Sequence, residues 1–206
     1  MFFATKLPYK FSLPSAFAMC ERPKMADLAK GLSESATSTA SKELNGKRST
    51  KTAGMVYVAP GLYLGNKQAA ADHVQLESAG IVAICAVGAK TGSAPGMVYH
   101  HVSVEDDGVS SMSPFLDSAC DFIHQQRQRG AVLVHCKGGI NRSPCLVVAY
   151  LMKYEQLTLP EALELCSSAR PAARCPSNFQ NDLVAFQQRL TDQAGETALE
   201  SSEVVR

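Results

Sequence analysis

The chain has 206 residues, 46% of them hydrophobic, with seven cysteines and a formal net charge of +1. That length suits one core-forming domain, and the near-neutral charge argues against nucleic acid as a partner. An odd cysteine count with no Cys-x-x-Cys pair fits a reducing compartment and no metal site best.

The net charge hides an asymmetry. Residues 1–54 carry nine Lys or Arg against four Asp or Glu, and the remainder carries eleven against fifteen. From Ser33 to Ser41, six of nine residues are Ser or Thr, and residues 31–54 show no apolar periodicity. The segment 1–54 is therefore expected to be a disordered, basic, hydroxyl-rich arm. Residues 1–20 contain two Lys, no acid and several Phe, Leu and Ser, a faint likeness to a mitochondrial or plastid presequence that lacks the usual arginines. Their apolar runs are too short and broken for a transmembrane segment. Met19, Met25 and Met55 leave a later translation start open.

A single domain is expected over residues 55–192. Val56–Val58 and Leu62–Leu64 read as short strands flanking Pro60-Gly61. Residues 67–79 read as a helix stopped by Gly80. Ile81–Val87 is a continuous apolar run, as a strand buried on both faces would be. Val98–Val104 is the next strand, and His100 and His101 read as ordinary strand residues. Ser113-Pro114 opens a helix whose Phe115, Leu116, Ala119, Cys120, Phe122 and Ile123 share a face. Ala131–His135 is a strand, and Pro144–Tyr154, apolar nearly all round, is a central buried helix. Thr158–Glu161 and Ser177–Gln180 have the pattern of capping boxes. Phe179, Leu183, Val184, Phe186 and Leu190 form an apolar stripe, and residues 193–206 an acidic, flexible tail. Strands alternating with helices predict the α/β class, a central, mostly parallel, twisted sheet with helices on both faces.

The chemistry lies between the strand at 131–135 and the helix that follows. His135-Cys-Lys-Gly-Gly-Ile-Asn-Arg-Ser-Pro144 puts Cys136 and Arg142 at the two ends of one loop. A strand-to-helix loop gathers backbone N–H groups on one spot and binds anions. Gly138 and Gly139 let the loop curl with its amides inward. A thiol there gains thiolate character, since a helix N-terminus and nearby cations lower a cysteine pKa into roughly the 3.5–7.5 range. Arg142 can grip two phosphate oxygens in a fork, and Lys137 adds charge. Pro144 sits near the first helical position, where its missing N–H is harmless.

His-Cys, five residues, Arg and Ser resembles the signature of the cysteine-based protein tyrosine phosphatases, and within them the small dual-specificity phosphatases. The flanking segments Pro60-Gly-Leu-Tyr-Leu-Gly65, Ala149-Tyr-Leu-Met152 and Arg170-Pro171 with Phe179 and Leu183 are similar to that family as well. The resemblance implies that Cys136 attacks phosphorus to form a phosphocysteine and that Arg142 holds the equatorial oxygens. Gly138, Gly139, Ile140 and Asn141 would line the phosphate cradle, with His135 in support, and Ser143 would help the thiolate leave. The family carries its general acid about thirty residues before the cysteine, often as Val-Glu-Asp; here that is Val104-Glu-Asp106, making Asp106 the acid, with Asp107 the alternate. Cys85, on the neighbouring strand, matches a cysteine that traps the oxidised nucleophile in some members; a small core residue is the other reading, and the favoured one.

Three departures stand out. Asn141 falls where the family often has Ser. The family's Pro-Asn falls on Cys175-Pro176. Lys137 is less usual there and is shared with relatives that act on phosphoinositides. The expected activity is hydrolysis of phosphotyrosine, phosphoserine and phosphothreonine in proteins, protein kinases among them, with no cofactor and no metal. A shallow pocket follows by analogy, since nothing resembles the phosphotyrosine-selecting loop of the larger enzymes. The same chemistry on a phosphoinositide or other non-protein phosphomonoester is the alternative, and a phospho-binding scaffold the third. Rhodaneses and arsenate reductases share a cysteine-centred anion loop, but Asp106 and the flanking segments disfavour them. A cytoplasmic or nuclear monomer is expected.

Overall fold

The computed structural model describes residues 54–88 and 96–203. The basic arm through Ala53, with its presequence-like start, lies outside them. Five strands form one mixed sheet in the order β1-β2-β5-β3-β4. β1 (Met55–Ala59) and β2 (Leu62–Gly65) form an antiparallel hairpin, turned at Gly61 with a φ of +68°. β2 then runs parallel to β5 (Ala131–His135), β5 to β3 (Ile81–Val87), and β3 to β4 (Val98–Val102). β5 is thus the middle strand, and its C-terminal end delivers the signature loop.

Side chains alternate across β5 as the pleat requires. Val132 and Val134 face the larger core, and Leu133 faces the smaller one. The larger core is closed by α2 (Ser113–Arg127), α3 (Arg142–Tyr154), α4 (Leu159–Ala169) and α5 (Ser177–Glu203). On the other face a 3₁₀ turn (Ala69–Ala71) and α1 (His73–Ser78) set Ala70 and Leu76 over Ile81, Ile84 and Leu133. α3 is buried at every residue from Arg142 to Met152. Each Leu or Val sealed there contributes about 1.5–3 kcal/mol, so the helix that starts at the loop is also its firmest footing. Among the described residues, no helix is long and apolar enough to cross a membrane.

Several boundaries differ from expectation. Residues 67–79 are two pieces, because Asn66 and Asp72 side chains compete for backbone donors. Asn66 Oδ1 accepts from Ala69 N–H at 2.9 Å, and Asp72 Oδ1 caps α1 through Gln75 N–H at 3.1 Å. β4 ends at Val102. α3 starts at Arg142, two residues early, which makes Pro144 the third helical residue; it is still within the first turn, whose N–H groups have no intrahelical partner. The capping box at Thr158 forms, with the Glu161 carboxylate accepting from Thr158 N–H at 2.7 Å. The one expected at Ser177 does not: Gln180 Nε2 donates to Cys175 O at 2.9 Å instead. Val184 is 58% exposed and leaves the stripe, while Phe179, Leu183 and Phe186 remain in the core. α5 continues to Glu203, through most of the segment read as tail.

Candidate active site

Beyond His135 the chain leaves the sheet and wraps around one sulfur. Cys136 Sγ accepts from Gly139 N–H at 3.2 Å and from the Ser143 hydroxyl at 3.2 Å. Burial opposes ionisation of this thiol, which is 2% exposed. Hydrogen bonds from the Ser143 hydroxyl and from the N–H groups of Ser143, Ile140 and Gly139 outweigh it and hold its pKa below the ordinary thiol value.

The inward amides have an outward counterpart. Lys137 O accepts from Lys67 N–H at 3.3 Å, Gly138 O from Arg170 Nη2 at 3.2 Å, and Ile140 O from Arg174 N–H at 2.7 Å. With those carbonyls tied to the surrounding frame, the adjoining amides turn toward the sulfur. Gly139 makes the tightest bend, at φ +67°, and a Cβ there would stand 2.5 Å from Gly65 O. The glycine is required both by its conformation and by the passing β2 backbone.

Arg142 is 6% exposed, and one edge of its guanidinium is anchored. Nη1 donates to Gly88 O at 3.0 Å and to Val104 O at 3.2 Å. Nε is buried without a hydrogen-bond partner among the described residues and lies 3.7 Å from Asp106 Oδ2. The fork is therefore oriented by two carbonyls and retains donors for an oxyanion.

Asp106 stands across the loop mouth, where Asn141 Nδ2 donates to both carboxylate oxygens at 3.2 Å. Its side chain is 35% exposed, so the carboxyl has access to solvent. Asp107 turns away. Its carboxylate accepts from Ser110 N–H, Val109 N–H and the Ser110 hydroxyl, bonds that hold its pKa down to about 2. Of the two carboxyls weighed from the sequence, only Asp106 meets Arg142 and Asn141.

His135 is fully buried with Nδ1 3.3 Å from Cys136 O, and burial pushes its pKa down. Ser143 is sealed beneath the sulfur, while Lys137 and Ile140 are exposed at the rim. Cys85 pairs in register with Val134 on β5 and is fully buried, which pushes its thiol up to about 12. Among the described residues, no group of three His, Cys, Asp or Glu side chains could hold a metal ion.

Four contributors were not anticipated. Gly88 O and Val104 O steer Arg142, Arg170 backs the loop at Gly138, and Arg174 N–H holds Ile140 O. A glycine closing an otherwise continuous apolar strand was the one readable signal, at Gly88. The others act across long sequence separations and leave no local pattern.

A buried thiol bonded by loop amides, on the loop from a middle strand to a buried helix, with a paired guanidinium and carboxyl at the same loop, is the architecture of a cysteine-based phosphatase. The dual specificity phosphatase catalytic-domain model matches residues 62–189. Human "Dual specificity phosphatase 28" is 34% identical over 143 residues, covering 68% of this chain and 81% of that protein. Zebrafish (Danio rerio) "Dual specificity protein phosphatase 22-B" is 38% identical over 138 residues, covering 65% of this chain and 74% of the relative. The crystal structure of human DUSP28 superposes with a TM-score of 0.64 at 34% identity, covering 66% of this chain and 95% of that one. The chain belongs to the dual specificity phosphatase family of cysteine-based protein phosphatases.

Proposed function

We propose that the protein hydrolyses phosphotyrosine and phosphoserine or phosphothreonine in proteins, through a phosphocysteine on Cys136. The observation that carries this is the hydrogen-bonded Cys136 sulfur at one end of a loop whose other end holds the Arg142 guanidinium 3.7 Å from the Asp106 carboxyl. In the first step the Cys136 thiolate attacks phosphorus, an S–P bond forms and the P–O ester bond breaks. Asp106, protonated, gives its proton to the departing oxygen, a contribution worth about 10²–10⁴-fold. Arg142 and the loop amides meet the charge on the equatorial oxygens. In the second step water attacks phosphorus, Asp106 as carboxylate takes its proton, and the S–P bond breaks to return the thiolate. The Ser143 hydroxyl, 3.2 Å from the sulfur, stabilises that leaving thiolate.

A second reading, the same chemistry on a phosphoinositide, is favoured by the exposed Lys137 at the rim. The test is a panel without added metal: an aryl phosphate, phosphotyrosine and phosphothreonine peptides, and phosphoinositides, with C136S as control. Turnover of the peptides, lost in C136S while phosphopeptide binding persists, is the expected result. Exclusive turnover of the lipids would replace the first reading by the second. No turnover of any substrate by the reduced wild-type protein would favour a phospho-binding role. The proposed compartment is the cytoplasm, where a thiolate nucleophile stays reduced, and imaging of the tagged full chain tests it.

A further inference from the structure

The loop from Glu105 to Met112 carries Asp106, has no regular secondary structure, and is fastened from behind by α5. Asp182 Oδ2 accepts from Met112 N–H at 2.6 Å, and Asp182 Oδ1 from the Ser111 hydroxyl at 2.9 Å. Asn178, one helical turn earlier on α5, donates from Nδ2 to Ser110 O at 2.7 Å. Ser110 N–H and hydroxyl in turn bond the Asp107 carboxylate, next to Asp106 in the chain. The links thus run without a gap from α5 to the residue beside the acid.

Two features make Asp182 the strongest of these links. Met112 is the N-cap of α2, and its side chain cannot accept the orphan N–H groups at a helix start. Asp182 binds this helix start from another helix, accepting the N–H of Met112 itself, and a negative charge at a helix N-terminus is favoured by the helix dipole. Its helical neighbours Phe179, Leu183 and Phe186 are buried in the core, so the carboxylate is fixed to the frame and not to the surface.

We infer that Asp182 is a positioning residue for the general acid, holding the loop at Ser111–Met112 so that the Asp106 carboxyl reaches the leaving oxygen beside Asn141 and Arg142. The inference rests on the reading of Asp106 as the acid. A displacement on the order of 1 Å can cost about 100-fold in rate, so a loosened loop is expected to withdraw much of what the acid supplies.

The experiment compares phenyl phosphate, whose leaving group needs a proton, with p-nitrophenyl phosphate, whose leaving group needs it little. D182A is expected to lose about 10-fold in kcat/KM on phenyl phosphate and less than about 2-fold on p-nitrophenyl phosphate. D182N, whose amide oxygen still accepts from Met112 N–H, is expected to recover most of the loss. D106A/D182A is expected to be no slower on phenyl phosphate than D106A alone, because both act through one proton transfer. Equal losses of D182A on the two esters, or additive losses in the double variant, would overturn the inference while leaving Asp106 as the acid. Equal losses of D106A on the two esters would overturn both. If D182A does not fold, S111A, which removes the hydroxyl that donates to Asp182 and accepts from Ser113 N–H but leaves the Met112 N–H bond to Asp182, carries the same comparison.

Discussion

Gly88→Ala tests how the guanidinium is held, and its size can be worked from the contacts. Gly88 follows β3 with φ +60°, and a Cβ there would stand 2.0 Å from Arg142 Nη1 and 2.3 Å from Val104 O. The left-handed backbone alone costs an L residue about 1–2 kcal/mol. Real Cβ contacts essentially never fall under 3.0 Å, so the guanidinium must retreat by about 1 Å. It then loses its aim at Gly88 O and Val104 O, two bonds from a charged donor worth about 1.5–3 kcal/mol each. Displacement on that scale predicts a fall of about 100-fold in kcat/KM on an aryl phosphate. Inhibition by inorganic phosphate should weaken in parallel, since the same fork meets its oxygens. The variant should still fold, with the melting temperature falling by about 2–4 °C per kcal/mol of strain. Kinetics with a phosphate inhibition series and a thermal melt measure all three. A folded G88A within about 2-fold of wild type in kcat/KM would refute the claim that the two carbonyls hold Arg142 in its working position.

Two further predictions turn on protonation. S143A removes the side-chain donor that, with three backbone N–H groups, holds the Cys136 pKa below its ordinary value. The pKa should therefore rise and the acid limb of iodoacetamide inactivation shift to higher pH; an unmoved limb would show that the amides suffice. Asp107 is held at about 2 by its turn bonds, below the ordinary carboxylate value, so its contribution to stability is present above about pH 4 and is lost as pH falls toward 2. D107A should accordingly be less stable than wild type in urea at pH 7, with the gap closing near pH 2; a gap that does not narrow would locate the effect elsewhere.

What the sequence made legible was local. β3 and β5 were readable because strands buried on both faces leave unbroken apolar runs, and the signature loop because its chemistry lies within ten consecutive residues. The split at Asp72 and the unused capping pattern at Ser177 were not readable, because the choice lies between competing hydrogen bonds of similar strength. Gln180 has Cys175 O within reach and uses it. The start of α3 was misjudged because Pro144 suggested a first position, whereas Arg142 and Ser143 already have helical geometry and belong to both loop and helix. The supports of the site were least legible. Arg142 meets Gly88 and Val104, 54 and 38 residues away, and Asp182 meets Met112, 70 residues away. Only the sheet order, with β3 beside β5, brings the first pair together.

Among the buried cysteines of the described residues, Cys136 alone is held below the ordinary thiol pKa, as the proposed attack on phosphorus requires. Cys136 is 2% exposed, and Cys85, Cys120, Cys145 and Cys166 are buried as well, so accessibility does not separate them. Burial pushes the thiols of Cys85 and Cys166 up to about 12, and raises those of Cys120 and Cys145. Cys136 has the same burial working against it, yet its pKa moves down. The difference is the set of donors around the sulfur: three backbone N–H groups and one hydroxyl. Those amides point inward because the neighbouring carbonyls are drawn outward by Lys67 N–H, Arg170 and Arg174 N–H. A cysteine moved along the sheet would keep the burial and lose the donors. Reactivity at this position is therefore a property of the folded frame, and Arg170, distant in sequence yet bonded to Gly138 O and electrostatically coupled to Cys136, belongs to it as much as the loop does.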